Sequence, residues 1–235
     1  MSSIRYAIYL APGRDSELWR FGSLVVGRDA ASGRDVEGFA TAGYTARAWR
    51  ELTRDARAYG FHATLKAPFR LNISSTRRDL ETRIAAIAAR IEPFDLGPLG
   101  VGTLPADADR AFVALRPETG SDALTRLEAS VVRGLDPLRA ILTEAEIRRR
   151  RPERLSSRQR YYLEAWGYPY VLDEFRPHFT LTGAVAEAED VGAALSAEFA
   201  RRVSSPNFHV DSLALFAQPA PAENFEIVRT FPLGA

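Results

Sequence analysis

The sequence repeats itself. Residues near 59–116 read as strand, helix, strand, strand, and residues near 175–233 read the same way. Matching positions keep an offset of about 115 residues: His62 to His178, Phe94 to Phe208, Leu99 to Leu213. A supersecondary unit present twice implies two similar halves packed on each other. Consecutive strands joined by short turns form antiparallel ladders. The repeat therefore predicts an α+β fold: one two-lobed domain over residues 1–235, each lobe a mainly antiparallel sheet with outer helices, and a cleft between the lobes.

Period and punctuation place the elements. Ile4–Ala11 is apolar, aromatic and stopped by Pro12-Gly13, so it reads as a strand, as does Phe61–Leu71. Thr45–Ala58 reads as a helix ending before Gly60, and the Gly-, Asp- and Arg-rich stretch from Gly22 to Gly38 as loop. Leu80, Ile84, Ile87 and Ile91 share one helical face behind a Ser75 or Thr76 cap. Further helices are expected over Asp122–Leu135, Ser157–Trp166 (capped by Ser156 with Gln159, stopped by Gly167) and Ala188–Val203.

Each unit opens on His-x-Thr-Leu, "HATL" at 62–65 and "HFTL" at 178–181, and the chain has only 3 histidines. Residues two apart on a strand point the same way. His62, Thr64 and Lys66 are thus expected on one face, and His178, Thr180 and Thr182 on another. If the pseudo-twofold turns these faces together, two imidazoles and two hydroxyls line one cleft. One neutral imidazole can take a proton from an attacking water or hydroxyl while the other, protonated, gives one to the departing oxygen. Threonine hydroxyls can donate to non-bridging phosphate oxygens. His209 lacks the Thr-Leu sequel and reads as structural or exposed.

Lys66 is the one lysine among 31 basic residues, and it lies four residues after His62. A compact ammonium beside a catalytic imidazole is the expected role, steadying charge on the phosphoryl group. The run "IRRRRPERLSSRQR" reads either as a solvated flank or as a source of one or two arginines that grip a second phosphate. Within it Arg158 and Arg160 are preferred, because their helix leads into the second motif. "YYLEAWGYPYV" reads as core and rim or as a stacking wall, with Tyr168 as a candidate contact; Tyr9 on the first strand is another.

Several classes are excluded. The formal net charge is +1, which disfavours a polybasic nucleic-acid or membrane-surface binder. With 0 cysteines there is no disulfide and no thiolate metal site, and neither motif brings a second His or a carboxylate at ligand spacing, so no metal and no cofactor are expected. No apolar run approaches the roughly 20 residues that span a bilayer, and a cytoplasmic protein is expected.

The paired motifs resemble the two-histidine phosphoesterase superfamily, which includes RNA 2′,3′-cyclic phosphodiesterases and 2′-5′ RNA ligase-like proteins. "RYAIYLAP", "YGFHATLKAPFRL", "RQRYYLEAWGYPYV", "HFTLTG" and "VDSLALF" are similar to a branch found with bacterial phosphonate-degradation operons. The resemblance implies a metal-independent cyclic phosphodiesterase, with His62, Thr64, His178 and Thr180 as the catalytic set. In that pathway a carbon–phosphorus lyase releases a 5-phosphoribosyl 1,2-cyclic phosphate, whose ring must be opened. The expected partner is a small phosphorylated sugar or nucleotide, with RNA ends as the alternative substrate and a silent nucleotide- or RNA-binding module as the alternative class.

Overall fold

The computed structural model describes residues 4–235. In chain order its elements are β1 (Arg5–Leu10), α1 (Glu17–Val26), β2 (Arg28–Asp29), β3 (Arg34–Asp35), α2 (Ala46–Leu52), α3 (Arg54–Tyr59), β4 (Ala63–Phe69) and α4 (Arg77–Ala88). There follow β5 (Phe94–Pro105), β6 (Ala111–Pro117), α5 (Asp122–Leu135), α6 (Glu144–Arg149), α7 (Ser157–Trp166), β7 (Phe179–Thr180), α8 (Ala188–Arg202), β8 (Asn207–Val210), β9 (Ser212–Gln218) and β10 (Glu226–Pro232). The α+β class with antiparallel pairing is as the repeat predicts.

The two halves are continuous. Eight strands form one sheet in the order β10-β9-β1-β4-β7-β6-β5-β8, and the motif strands β4 and β7 are neighbours at its centre. Each half draws on both repeat units. The β5–β6 hairpin of the first unit pairs with β7 of the second. The β9–β10 hairpin of the second joins β4 of the first through β1. A repeat fixes what each unit contains; it leaves open which hairpin docks on which motif strand.

The helices cover the sheet with the faces that periodicity assigns. In α5, Leu124, Leu127, Val131 and Leu135 are all buried. Each such side chain contributes about 1.5–3 kcal/mol by leaving water. Thr76 and Asp79 close a capping box on α4, and Ser156 and Gln159 close one on α7. The helix expected over Thr45–Ala58 breaks at Thr53, whose hydroxyl donates back to the Trp49 carbonyl.

The stretch expected as loop from Gly22 begins inside a helix. Ser16 caps α1, which buries Leu18, Trp19, Phe21, Val25 and Val26 and stops at Gly27 in the left-handed region. Gly22 lies within it because a Cβ there would stand 2.1 Å from the Phe61 ring. Phe61 fills that dent immediately before His62. Among the described residues no helix is long and apolar enough to cross a membrane.

Candidate functional site

Ala63 pairs with Phe179 across the β4–β7 ladder, and both are buried. Antiparallel register then sets His62 opposite Thr180 and Thr64 opposite His178 on the other face. The two histidines are diagonal neighbours, with Cα atoms about 7–8 Å apart by sheet geometry. Both motifs line one cleft of about 720 Å³ together with Tyr9, Tyr59, Arg150 and Tyr168.

The two imidazoles are anchored alike. Nδ1 of His62 bonds the Gly60 carbonyl at 2.8 Å, and Nδ1 of His178 bonds the Arg176 carbonyl at 2.6 Å. A carbonyl can only accept, so Nδ1 carries the proton and Nε2 is left for chemistry. Gly60 supplies the first anchor from φ +77°, where a Cβ would also stand 2.4 Å from Ala30 Cβ.

Their surroundings differ. His62 stacks on Tyr9 with ring centroids 3.8 Å apart, and Tyr59 and Phe216 flank it at 6.0 and 5.9 Å. Burial pushes its pKa down to about 4, against the Gly60 bond that favours the cation; a charge on His178 pushes the same way as burial. His178 is also lowered, by burial first and then by the Arg116 charge, with the Arg176 bond opposing. Each imidazole is therefore biased toward the neutral form, His62 strongly.

Lys66 does not share the face of His62 and Thr64. β4 carries one extra residue against β1 between Tyr6 and Ile8 and another between Ile8 and Tyr9, as the pairs Tyr6↔Phe69, Ile8↔Lys66 and Tyr9↔Thr64 record. An extra residue reverses the side from which the next side chain emerges. Lys66 is turned into the protein, where Nζ donates to the Val132 carbonyl at 3.2 Å and to Asp136 at 3.3 Å. Burial lowers its pKa to about 8, against the attraction of Asp136. The place suits lysine: two acceptors face the ammonium, whereas a guanidinium would bring five N–H groups to the same buried spot. Thr182, the matching residue of the second motif, is also turned inward. It is fully buried, accepts from the Val113 N–H and donates to the Gly183 carbonyl.

Arg158 and Arg160 also lie away from the cleft. Arg158 pairs with Asp173 and stacks over Tyr162 on the surface. Arg160 donates to the Leu155 carbonyl and faces a different cavity with Arg139, Leu163 and Glu164. The arginine that reaches the cleft is Arg150, from the run before Pro152. It ends α6 and lies over the Tyr168 ring at 4.8 Å. Tyr59 is a second cleft residue beyond the expected set; its position directly before Gly60 was the available signal. A contiguous recess lined by Leu104, Phe112, Tyr168, Tyr170, Phe175 and Arg176 opens beside Thr64 and His178. His209 is exposed and bonds Asp95 at 2.7 Å. Among the described residues no group of three or more metal-ligating side chains converges.

Comparison with known proteins agrees with this architecture. The chain is 35% identical over 229 residues to a protein of Janthinobacterium sp. (strain Marseille) named ribose 1,5-bisphosphate phosphokinase PhnN, covering 95% of this chain and 49% of the relative. The chain spans about half the length of the curated relatives it matches. TT0787 of Thermus thermophilus superposes with a TM-score of 0.50 at 14% identity, over 98% of each chain, which shows the shared fold. E. coli LigT complexed with 3′-AMP matches with a TM-score of 0.46 at 14% identity, also over 98% of each chain. The family described as protein of unknown function DUF1045 matches residues 64–226, most of the chain, and this protein belongs to it.

Proposed function

We propose that this protein opens a small ribosyl cyclic phosphodiester by hydrolysis, with His62 and His178 as its acid–base pair. The observation that carries the reading is the matched anchoring: two imidazoles at the heads of adjacent strands, each with Nδ1 bonded to the carbonyl two residues back, leave two Nε2 atoms for one cleft.

His62 takes the base role, because its pKa near 4 keeps it neutral at working pH. Water attacks phosphorus and gives its proton to His62 Nε2. The bond from phosphorus to one ring oxygen breaks, and that oxygen takes a proton from His178 Nε2. One water is consumed, and a phosphomonoester and a free hydroxyl result. Proton exchange with solvent resets the pair. The substrate anion itself favours the protonated form of His178. Thr64 and Thr180, on the same sheet face, donate to the non-bridging oxygens. The reaction as written uses no metal ion and no cofactor.

The names of the relatives support the choice of sugar. They are named for ribose 1,5-bisphosphate. Opening 5-phosphoribosyl 1,2-cyclic phosphate at the 2-oxygen yields that compound, so the two activities would be consecutive in cytoplasmic phosphonate breakdown. The kinase name does not come with the match: a phosphate-binding loop places its lysine after glycine, and the one lysine here follows leucine.

A second reading, hydrolysis of RNA 2′,3′-cyclic phosphate ends, is favoured by the aromatic recess beside His178, which could stack a base. Phosphorus NMR of purified protein with ribosyl 1,2-cyclic phosphates and with nucleoside 2′,3′-cyclic phosphates separates the two. Ring opening of the first class, persisting in chelator, is the expected result; ring opening of the second alone replaces it, and opening of neither ends both.

A further inference from the structure

Off the catalytic cleft opens a second recess of about 520 Å³, which shares Tyr59, Pro68 and Arg150 with it. Arg5, Arg149 and Arg150 line it, and Glu146 is its one carboxylate. Glu146 is already committed. It accepts from Arg70 at 2.9 and 3.2 Å and from the Thr143 backbone at 2.8 Å, and these bonds outweigh burial and hold its pKa down at about 2. Three guanidiniums therefore share the recess without a counter-ion among the described residues.

Two of the three are pre-set. Arg5 donates through Nε to Gln218 at 2.7 Å, and Gln218 is itself buried and donates to the Glu223 carbonyl. Arg150 is held over Tyr168. Arg149, on the last turn of α6, is the exposed member. Uncompensated like charges repel one another, and holding them in place is favourable when a ligand brings the negative charge. A guanidinium fork matches the oxygens of a phosphate dianion.

We infer that this arginine recess binds a phosphomonoester carried by the same small molecule whose cyclic phosphate lies at the histidines. The inference rests on the proposed reaction and narrows its substrate class to molecules bearing two phosphates, one cyclic and one terminal. It also gives the arginine run its function, through Arg149 and Arg150.

The test compares two substrate pairs. One is ribosyl 1,2-cyclic phosphate with and without a 5-phosphate; the other is adenosine 2′,3′-cyclic phosphate with and without a 5′-phosphate. Within the pair that is turned over, the phosphorylated member is expected to show a kcat/KM at least about tenfold higher, mostly through KM. The pair identifies whether the terminal phosphate sits on a bare sugar or on a nucleotide. Arg5→Gln with Arg149→Gln should collapse that preference, and Arg149→Lys in place of Arg149→Gln should restore part of it. Equal kcat/KM within the pair means three solvated arginines and overturns the inference, while ring opening leaves the proposed reaction standing. Binding of ribose 5-phosphate by calorimetry decides the matter independently of turnover. Binding that weakens about tenfold in the folded double glutamine variant supports the recess. Binding unchanged in that variant, or no binding to the native protein, overturns it.

Discussion

The strand that follows His62 runs seven residues and the strand that follows His178 runs two, yet the two present the same chemistry. In both, the histidine leans on the carbonyl two residues back, and a threonine follows on the same face. In both, the residue four places after the histidine is turned inward, Lys66 to hold α5 and Thr182 to hold β6. What differs is the packing behind each ring. His62 has Tyr9 stacked on it, while no ring among the described residues stacks on His178. The two motif strands thus hold two imidazoles anchored alike, and neighbours that differ make their surroundings unequal. Groups whose environments push their protonation apart divide into acid and base.

The largest test of that division removes either ring. His62→Ala and His178→Ala should each lower kcat by about 10²–10⁴, the range for one general acid or base. The double variant should lose little more than the worse single, because both protons move in one transition state. Losses that multiply in the double variant, or a full rate in either single, would break the pairing.

The next test makes the unequal rings equal. Tyr9→Ala exposes the face of His62 to water. Burial is what lowers the His62 pKa, so water raises it from about 4 toward the ordinary value near 6.5. The acid limb of kcat/KM, where the base is lost by protonation, should move upward in pH by about 1–2 units. The alkaline limb set by His178 should stay in place. Movement of both limbs together would mean that the packing does not separate the two roles.

A smaller effect concerns the inward-turned pair, which also marks how far sequence reading reaches. That His62, Thr64, His178 and Thr180 line one cleft was legible, because a motif occurring twice with period-2 alternation is local information. Lys66 was not, because the register slips that turn it inward are set by pairing with β1, far away in the chain. Arg150 was missed for a related reason. Four consecutive arginines point to every side of a helix end, and only the docking of α6 selects the one facing the cleft. The α1 helix was legible in principle from Ser16 and its apolar spacing, but Gly22 masked it by answering to Phe61 rather than to a turn. Thr182→Val leaves the Val113 N–H unsatisfied and should cost about 1–3 kcal/mol in denaturant unfolding. Lys66→Arg should cost a similar amount by overpacking and by its unmatched donors. Full stability of Lys66→Arg would return the lysine to the cleft.

The most gradual effect is the pH dependence that Lys66 confers on stability. Its pKa is about 8 in the folded protein and near 10.4 in the unfolded chain. Between those values the unfolded state binds more protons, so stability rises with pH across that window. Below pH 8 both states are protonated and the full penalty of burying the ammonium is present. The slope is at most about 1.4 kcal/mol per pH unit. Lys66→Met should abolish this rise, whereas Thr182→Val should keep it, although both side chains occupy the same position of the repeat. An unfolding free energy that is flat from pH 8 to 10 in the native protein would mean that Lys66 carries no burial penalty. The contrast between the two inward turns would then rest on hydrogen bonds alone.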